Sequence, residues 1–214
     1  MKILTSIMAG CLMTASTLTF AASSTYGGVT FPEGDISFAD KVISFTPGSD
    51  VGAGWNDPTK ALGAPDYPAA GGSAVSLGDG GALIVQFTDN YLTTSGDDAK
   101  DLWIFEVGGA VESFNVSISS DLSSWIDLGY LSGQPTGIDI DSILGVSFGD
   151  TFSYVRLIDD ISIDQTNSPF GEADIDAIGA ISTIASPVPE VSTWLMFSVG
   201  LGLVALRRKS FSNV

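Results

Sequence analysis

Strict alternation in Phe114-Asn115-Val116-Ser117-Ile118-Ser119 restricts the fold of this chain more than any other feature. Successive side chains of a strand point to opposite faces, so Phe114, Val116 and Ile118 line one face and the polar residues the other. The same period returns in Gly81-Ala82-Leu83-Ile84-Val85-Gln86-Phe87, with Leu83, Val85 and Phe87 together. Leu102 to Val107 is apolar on both faces apart from Glu106, the pattern of an inner strand. Phe152 to Ile158 and Ala173 to Ile181 supply two more strands. No stretch here carries a helical stripe, and the runs are broken by Gly, Asp, Asn and Pro. Short, regularly spaced strands divided by turn residues predict an all-β domain over residues 37–182, an antiparallel β-sandwich or barrel. Internal repeats are missing, which argues for one domain and against a solenoid. Residues 22–36, rich in Ser, Gly and Thr with Pro32, read as a flexible lead-in.

Both ends differ from this domain. Met1-Lys2 is a basic start, Ile3 to Phe20 is apolar or small, and Thr19-Phe20-Ala21 offers small residues for a cut after Ala21. That is the layout of a secretory signal peptide, residues 1–21. Cys11, the single cysteine, leaves with it, so the mature chain has no disulfide and no thiol for catalysis or zinc. At the other end, residues 183–190 form a Pro-containing linker and residues 191–206 an uncharged apolar run. A bilayer span takes about 20 apolar residues with a lower limit near 17, so this run falls just short. Extended by Val188 and the snorkelling stems of Arg207 and Arg208, it is expected as a short transmembrane helix, in preference to a buried core helix. Trp194 sits where an indole prefers the interface, and Arg207, Arg208 and Lys209 mark the cytoplasmic end, residues 207–214.

Charge narrows the range of partners. Between residues 22 and 190 only Lys41, Lys60, Lys100 and Arg156 oppose all twenty-five carboxylates, a net charge of −21. Such a surface repels phosphate backbones and argues against nucleic-acid binding, whereas it suits solubility outside the cell and divalent cations.

Pro189-Glu190, Ser192-Thr193-Trp194, the apolar helix with Gly200-Leu201-Gly202-Leu203, and Arg207-Arg208-Lys209 together resemble the PEP-CTERM sorting signal. The family's Pro-Glu-Pro triplet has Val191 as its third residue here. The resemblance implies a cut near Pro189 and Glu190 by an exosortase-type membrane enzyme of Gram-negative bacteria that make exopolysaccharide. It further implies export across the inner membrane, transient anchoring, and a final place at the cell surface, in the extracellular matrix or in the medium.

Within the domain, Ala61-Leu62-Gly63-Ala64-Pro65-Asp66, Val75-Ser76-Leu77-Gly78-Asp79-Gly80-Gly81, Asp101-Leu102-Trp103-Ile104-Phe105-Glu106 and Ala173-Asp174-Ile175-Asp176-Ala177-Ile178 occur in this order. With Val116 to Trp125 and Leu128-Gly129 they look like the galactose-binding-like, discoidin-related jelly rolls of bacterial surface proteins. That resemblance implies two antiparallel sheets, often a structural calcium, and carbohydrate or surface binding through loops at one end. Calcium takes about six to eight oxygens, commonly from carboxylates and loop carbonyls. Asp101 ends a Gly-led acidic turn, Glu106 interrupts an apolar strand, and Asp174 and Asp176 lie two apart on one strand face; these four are the candidate ligands. Asp139-Ile140-Asp141 starts like an EF-hand loop, but Ile143 and Leu144 stand where an oxygen ligand and a Gly belong. Trp55, Tyr67 and Tyr130, in Gly/Pro/Ser/Asp-rich segments, are candidates for stacking on sugar rings, while Trp125 is expected to pack inward.

The chain has no His. This removes Ser-His-Asp and Cys-His systems and the imidazole ligands of catalytic zinc. Gly78-Asp79-Gly80-Gly81 reads as a turn and not a phosphate cradle. The expectation is a non-enzymatic, envelope- or exopolysaccharide-associated binding module. A structural matrix protein without a glycan ligand ranks second, and a small polysaccharide-degrading enzyme with a carboxylate pair third.

Overall fold

Alternating runs become strands wherever one face finds a second sheet to bury against. The computed structural model describes residues 22–68, 74–162 and 172–185. The expected signal peptide, the motif at Pro189 and Glu190, Trp194 with its apolar segment, and Arg207, Arg208 and Lys209 lie outside the described residues. No helix among the described residues is long and apolar enough to cross a membrane.

The strands are β1 (Ser24–Tyr26), β2 (Val29–Phe31), β3 (Lys41–Thr46), β4 (Val75–Ser76), β5 (Ala82–Gln86), β6 (Asn90–Thr93) and β7 (Leu102–Val107). They continue with β8 (Ser113–Ser119), β9 (Ile126–Ser132), β10 (Thr136–Ile138), β11 (Thr151–Phe152), β12 (Tyr154–Asp159), β13 (Asp174–Ala180) and β14 (Thr183–Ala185). Helix among the described residues amounts to two 3-10 turns, Gly34–Ser37 and Pro58–Ala61. A five-stranded sheet runs β3-β5-β12-β8-β9 and a four-stranded sheet β10-β7-β13-β4, with a three-stranded sheet β11-β6-β14 and the hairpin β1-β2 beside them. All the pairings are antiparallel.

The main core lies between the two large sheets. Leu83, Val85, Phe114, Val116, Ile118, Val155 and Leu157 meet Leu102, Ile104, Ile175, Ile178 and Ala180 in one cluster. Each fully buried Phe or Leu contributes roughly 1.5–3 kcal/mol, and in the absence of disulfides this burial joins the layers. The inner-strand reading of Leu102 to Val107 matches its position, since β7 lies between β10 and β13.

A second, smaller cluster covers the outer face of the four-stranded sheet. Val29, Phe31 and Phe38 pack there on Phe105 and Ala177. The Phe31 and Phe38 ring centroids are 4.6 Å apart, and the Tyr26 ring meets Phe38 edge-on at 5.4 Å. The segment 22–36 thus differs from the flexible lead-in expected from its composition. Gly27 and Gly28, both at positive φ, close a two-residue hairpin whose apolar positions Val29 and Phe31 are buried. Gly179 makes the close approach possible: a Cβ there would lie 2.7 Å from both Phe31 and Phe38. At the far end Thr183, Ile184 and Ala185, read from sequence as linker, pair with β6 instead.

Candidate functional site

Beside the β1-β2 hairpin, the outer face of the four-stranded sheet opens into a cleft of about 430 Å³. Its walls are Tyr26, Tyr67, Phe105 and the prolines Pro65 and Pro135, with Glu106, Gln134 and Asp176 as polar groups. Tyr26 is held by its hydroxyl, which donates to Asp35 Oδ1 at 2.6 Å. Tyr67 remains 41% exposed, a ring free to meet a ligand.

Gln134 Nε2 donates to Glu106 Oε1 at 3.2 Å and to the Ala110 carbonyl at 2.5 Å. Glu106 is almost wholly buried, and its Oε2 has no hydrogen-bond partner. Burial pushes its carboxyl up to about 7; Gln134 and Glu112 pull it back, and Asp174 adds to the rise. Asp174, likewise buried, leaves Oδ1 without a partner, and burial raises it to about 6 against the opposing influence of the Ser76 hydroxyl. Asp176 also rises to about 6 through burial, although its carboxylate accepts the Asp66 and Tyr67 N–H groups, each at 3.3 Å. A bulge between Ile175 and Ala177 breaks the simple alternation that had placed Asp174 and Asp176 two apart on a regular strand.

The fourth acid expected with these lies elsewhere. Asp101 precedes β7 and Glu106 is its penultimate residue, and at about 3.3 Å per residue some 16 Å of strand separates them. Asp101 instead joins Asp139 and Asp141, whose carboxylate oxygens lie within 4.8 Å of one another. Its two oxygens are already taken: Oδ2 accepts from the Ile140 N–H at 2.9 Å and Oδ1 from Ser182 Oγ at 2.6 Å. Asp141 Oδ2 in turn accepts from the Ser95 and Gly96 N–H groups. Among the described residues the acids whose oxygens converge closely enough to hold a metal ion are Asp101, Asp139 and Asp141, with both Asp101 oxygens already accepting hydrogen bonds, whereas Glu106 and Asp174 each keep one buried oxygen without a partner.

The aromatic candidates also separate. Tyr67 lines the cleft, Trp55 is half-buried in the segment whose carbonyl accepts the Ser76 N–H, and Tyr130 stands 63% exposed on the opposite layer. Trp125, expected inward, lies half-exposed outside the five-stranded sheet with the Arg156 guanidinium 4.5 Å from its ring centre. There its indole Nε1 donates to the Leu122 carbonyl. Tyr26 and Gln134 escaped the sequence reading. The Gly27-Gly28 turn after Tyr26 was the available signal for the first; for Gln134 only the following Pro135 marked a loop.

No protein-family model matches the chain, and no curated protein matches it. Among solved structures it is similar to the C-terminal domain of a chitobiase from Bacteroides fragilis, with 13% identity and a TM-score of 0.41. That likeness covers 68% of this chain and 94% of the other.

Proposed function

We propose that this is an exported protein of the cell envelope and exopolysaccharide, processed through a PEP-CTERM tail. Its galactose-binding-like jelly roll acts as a carbohydrate- or surface-binding module and not as an enzyme. The observation that carries this reading is the cleft: exposed Tyr67 and the apolar walls of Phe105, Pro65 and Pro135 surround an amide and two acids. Concave sites of this kind, mostly apolar with a few convergent polar groups, are the usual form of small-ligand sites. An aromatic face takes the C–H side of a sugar, while Gln134 and Asp176 exchange hydrogen bonds with its hydroxyls.

Calcium belongs to the same proposal. Glu106 and Asp174 would hold it, and a bound cation would supply the positive charge that their buried oxygens lack. Loaded protein should melt higher in Ca²⁺ than in EDTA, and equal midpoints would retire the cation.

Retention on the producing cell's exopolysaccharide tests the binding role. Tyr67→Ala combined with Gln134→Ala should lower retention about tenfold, the loss of roughly 1.4 kcal/mol. If the unsubstituted protein is not retained yet still accumulates in the matrix, a structural role replaces the binding one. Release of reducing ends from the polymer would instead indicate an enzyme.

A further inference from the structure

The outer face of the five-stranded sheet, on the layer opposite the cleft, has a composition unlike the rest of the chain. Strand register places Lys41 opposite Gln86, Gln86 opposite Tyr154, and Arg156 between Ile84 and Ser117. Asn115 faces Tyr130 at the far edge. Among the described residues Asp127 is the sole carboxylate at an outward position of these five strands, in a chain with twenty-five acids. It is occupied within the sheet, its Oδ1 accepting from Asn115 Nδ2 at 2.9 Å and from the Gly129 N–H at 3.0 Å. Asp121, in the loop leading to Trp125, likewise serves the Ser123 and Ser124 N–H groups. Two of the four cations between residues 22 and 190, Lys41 and Arg156, lie on this face.

Arg156 is also fixed in place. Its guanidinium stacks over Trp125 at 4.5 Å, and Nη2 donates to Ser117 Oγ at 3.2 Å from a serine that is itself buried beneath it. A guanidinium positioned in this way loses little side-chain freedom when a planar anion docks on its remaining donors. Lys41 is exposed two strands away, at about 4.8 Å per strand, and Tyr154 on the strand of Arg156, Trp125 beneath its guanidinium and Tyr130 at the far edge offer ring surface across the face.

We propose that this face binds an acidic polysaccharide, one whose sugar units carry carboxylates. Elsewhere a surface with so large an excess of negative charge repels a polyanion, and charge complementarity therefore sets both the location and the register of the contact. The hydroxyls and amides of Tyr154, Gln86 and Asn115 meet sugar hydroxyls, and Arg156 and Lys41 meet the carboxylates.

The test is affinity electrophoresis of the protein purified from its producing cell, through gels holding polygalacturonate or, in parallel, neutral dextran. Polygalacturonate should retard the protein at low salt and release it as salt rises, and dextran should not. Arg156→Gln and Lys41→Glu should each weaken retention about tenfold, Arg156→Lys should restore part of it, and Lys100→Glu, an exposed cation outside this sheet, should leave it unchanged. Lys41 is exposed, so its variant keeps the proposal testable even if Arg156→Gln does not fold. Equal retardation by both polymers, no retardation by either, or an unchanged Lys41→Glu would overturn the proposal. Light scattering that shows this face pairing two copies of the chain, with Lys41→Glu monomeric, would overturn it as well.

Discussion

Asp101 just before β7 and Glu106 near its end differ in the partners that surround them. Asp101 accepts one N–H and one hydroxyl, so both of its oxygens have partners inside the protein. Hydrogen bonds to charged groups are worth about 1.5–3 kcal/mol each. Asp101→Ala should therefore cost about 3 kcal/mol or more by denaturant melts, with or without calcium. Glu106 is met by Gln134 and Glu112 and keeps one oxygen without a hydrogen-bond partner. Without calcium the folded state keeps protons on Glu106 up to about 7 and on Asp174 and Asp176 up to about 6. An unfolded chain releases them near about 4, so over that window the folded state binds more protons. Stability in EDTA should then be highest on the acid side and fall by a few kcal/mol as pH rises from about 4 to 7. Calcium should flatten this slope, because it displaces the same protons. Glu106→Gln should melt at or above the unsubstituted protein in EDTA at neutral pH and lose the increment from calcium.

At the scale of elements, the β1-β2 hairpin joins fold to site. Phe31 is fully buried against Phe38 and Phe105, and Tyr26 of the same hairpin forms one wall of the cleft. Phe31→Ala should destabilise the domain by about 3–5 kcal/mol and lower retention on exopolysaccharide together with it; a segment that merely led into the domain would tolerate the change. Gly179→Val tests the same packing from the sheet side. Its Cβ would meet Phe31 and Phe38 at 2.7 Å, and overpacking of this kind costs about 1–3 kcal/mol. In both cases a thermal melt together with retention reads the hairpin's two roles at once.

The whole molecule joins an acidic sandwich to two terminal segments that we propose direct it. If the tail sorts the protein, intact mass of the surface or medium form should place its C-terminus near Pro189 or Glu190. A cell-free form still carrying Trp194 to Val214 would contradict that route. Deleting residues 186–214 should leave the sandwich folded, since the described core draws on residues 22–185, and should change only where the protein accumulates.

Period-two alternation made the strands around Leu83, Phe114 and Val155 legible, because a strand's two faces sort water from core within a few neighbouring residues. The inner position of β7 and the dominance of carboxylates were equally plain, as they depend on local pattern and on counting. The partners of each acid were not. Asp101 with Asp139, Glu106 with Gln134, and Asp176 with Tyr67 are separated by many residues, and a bulge shifts β13 off its simple period. The hairpin's burial and the outward turn of Trp125 likewise depended on which surface the rest of the chain presented to them. Pattern along a chain reports which face wants to leave water; which groups meet there is settled by long-range packing.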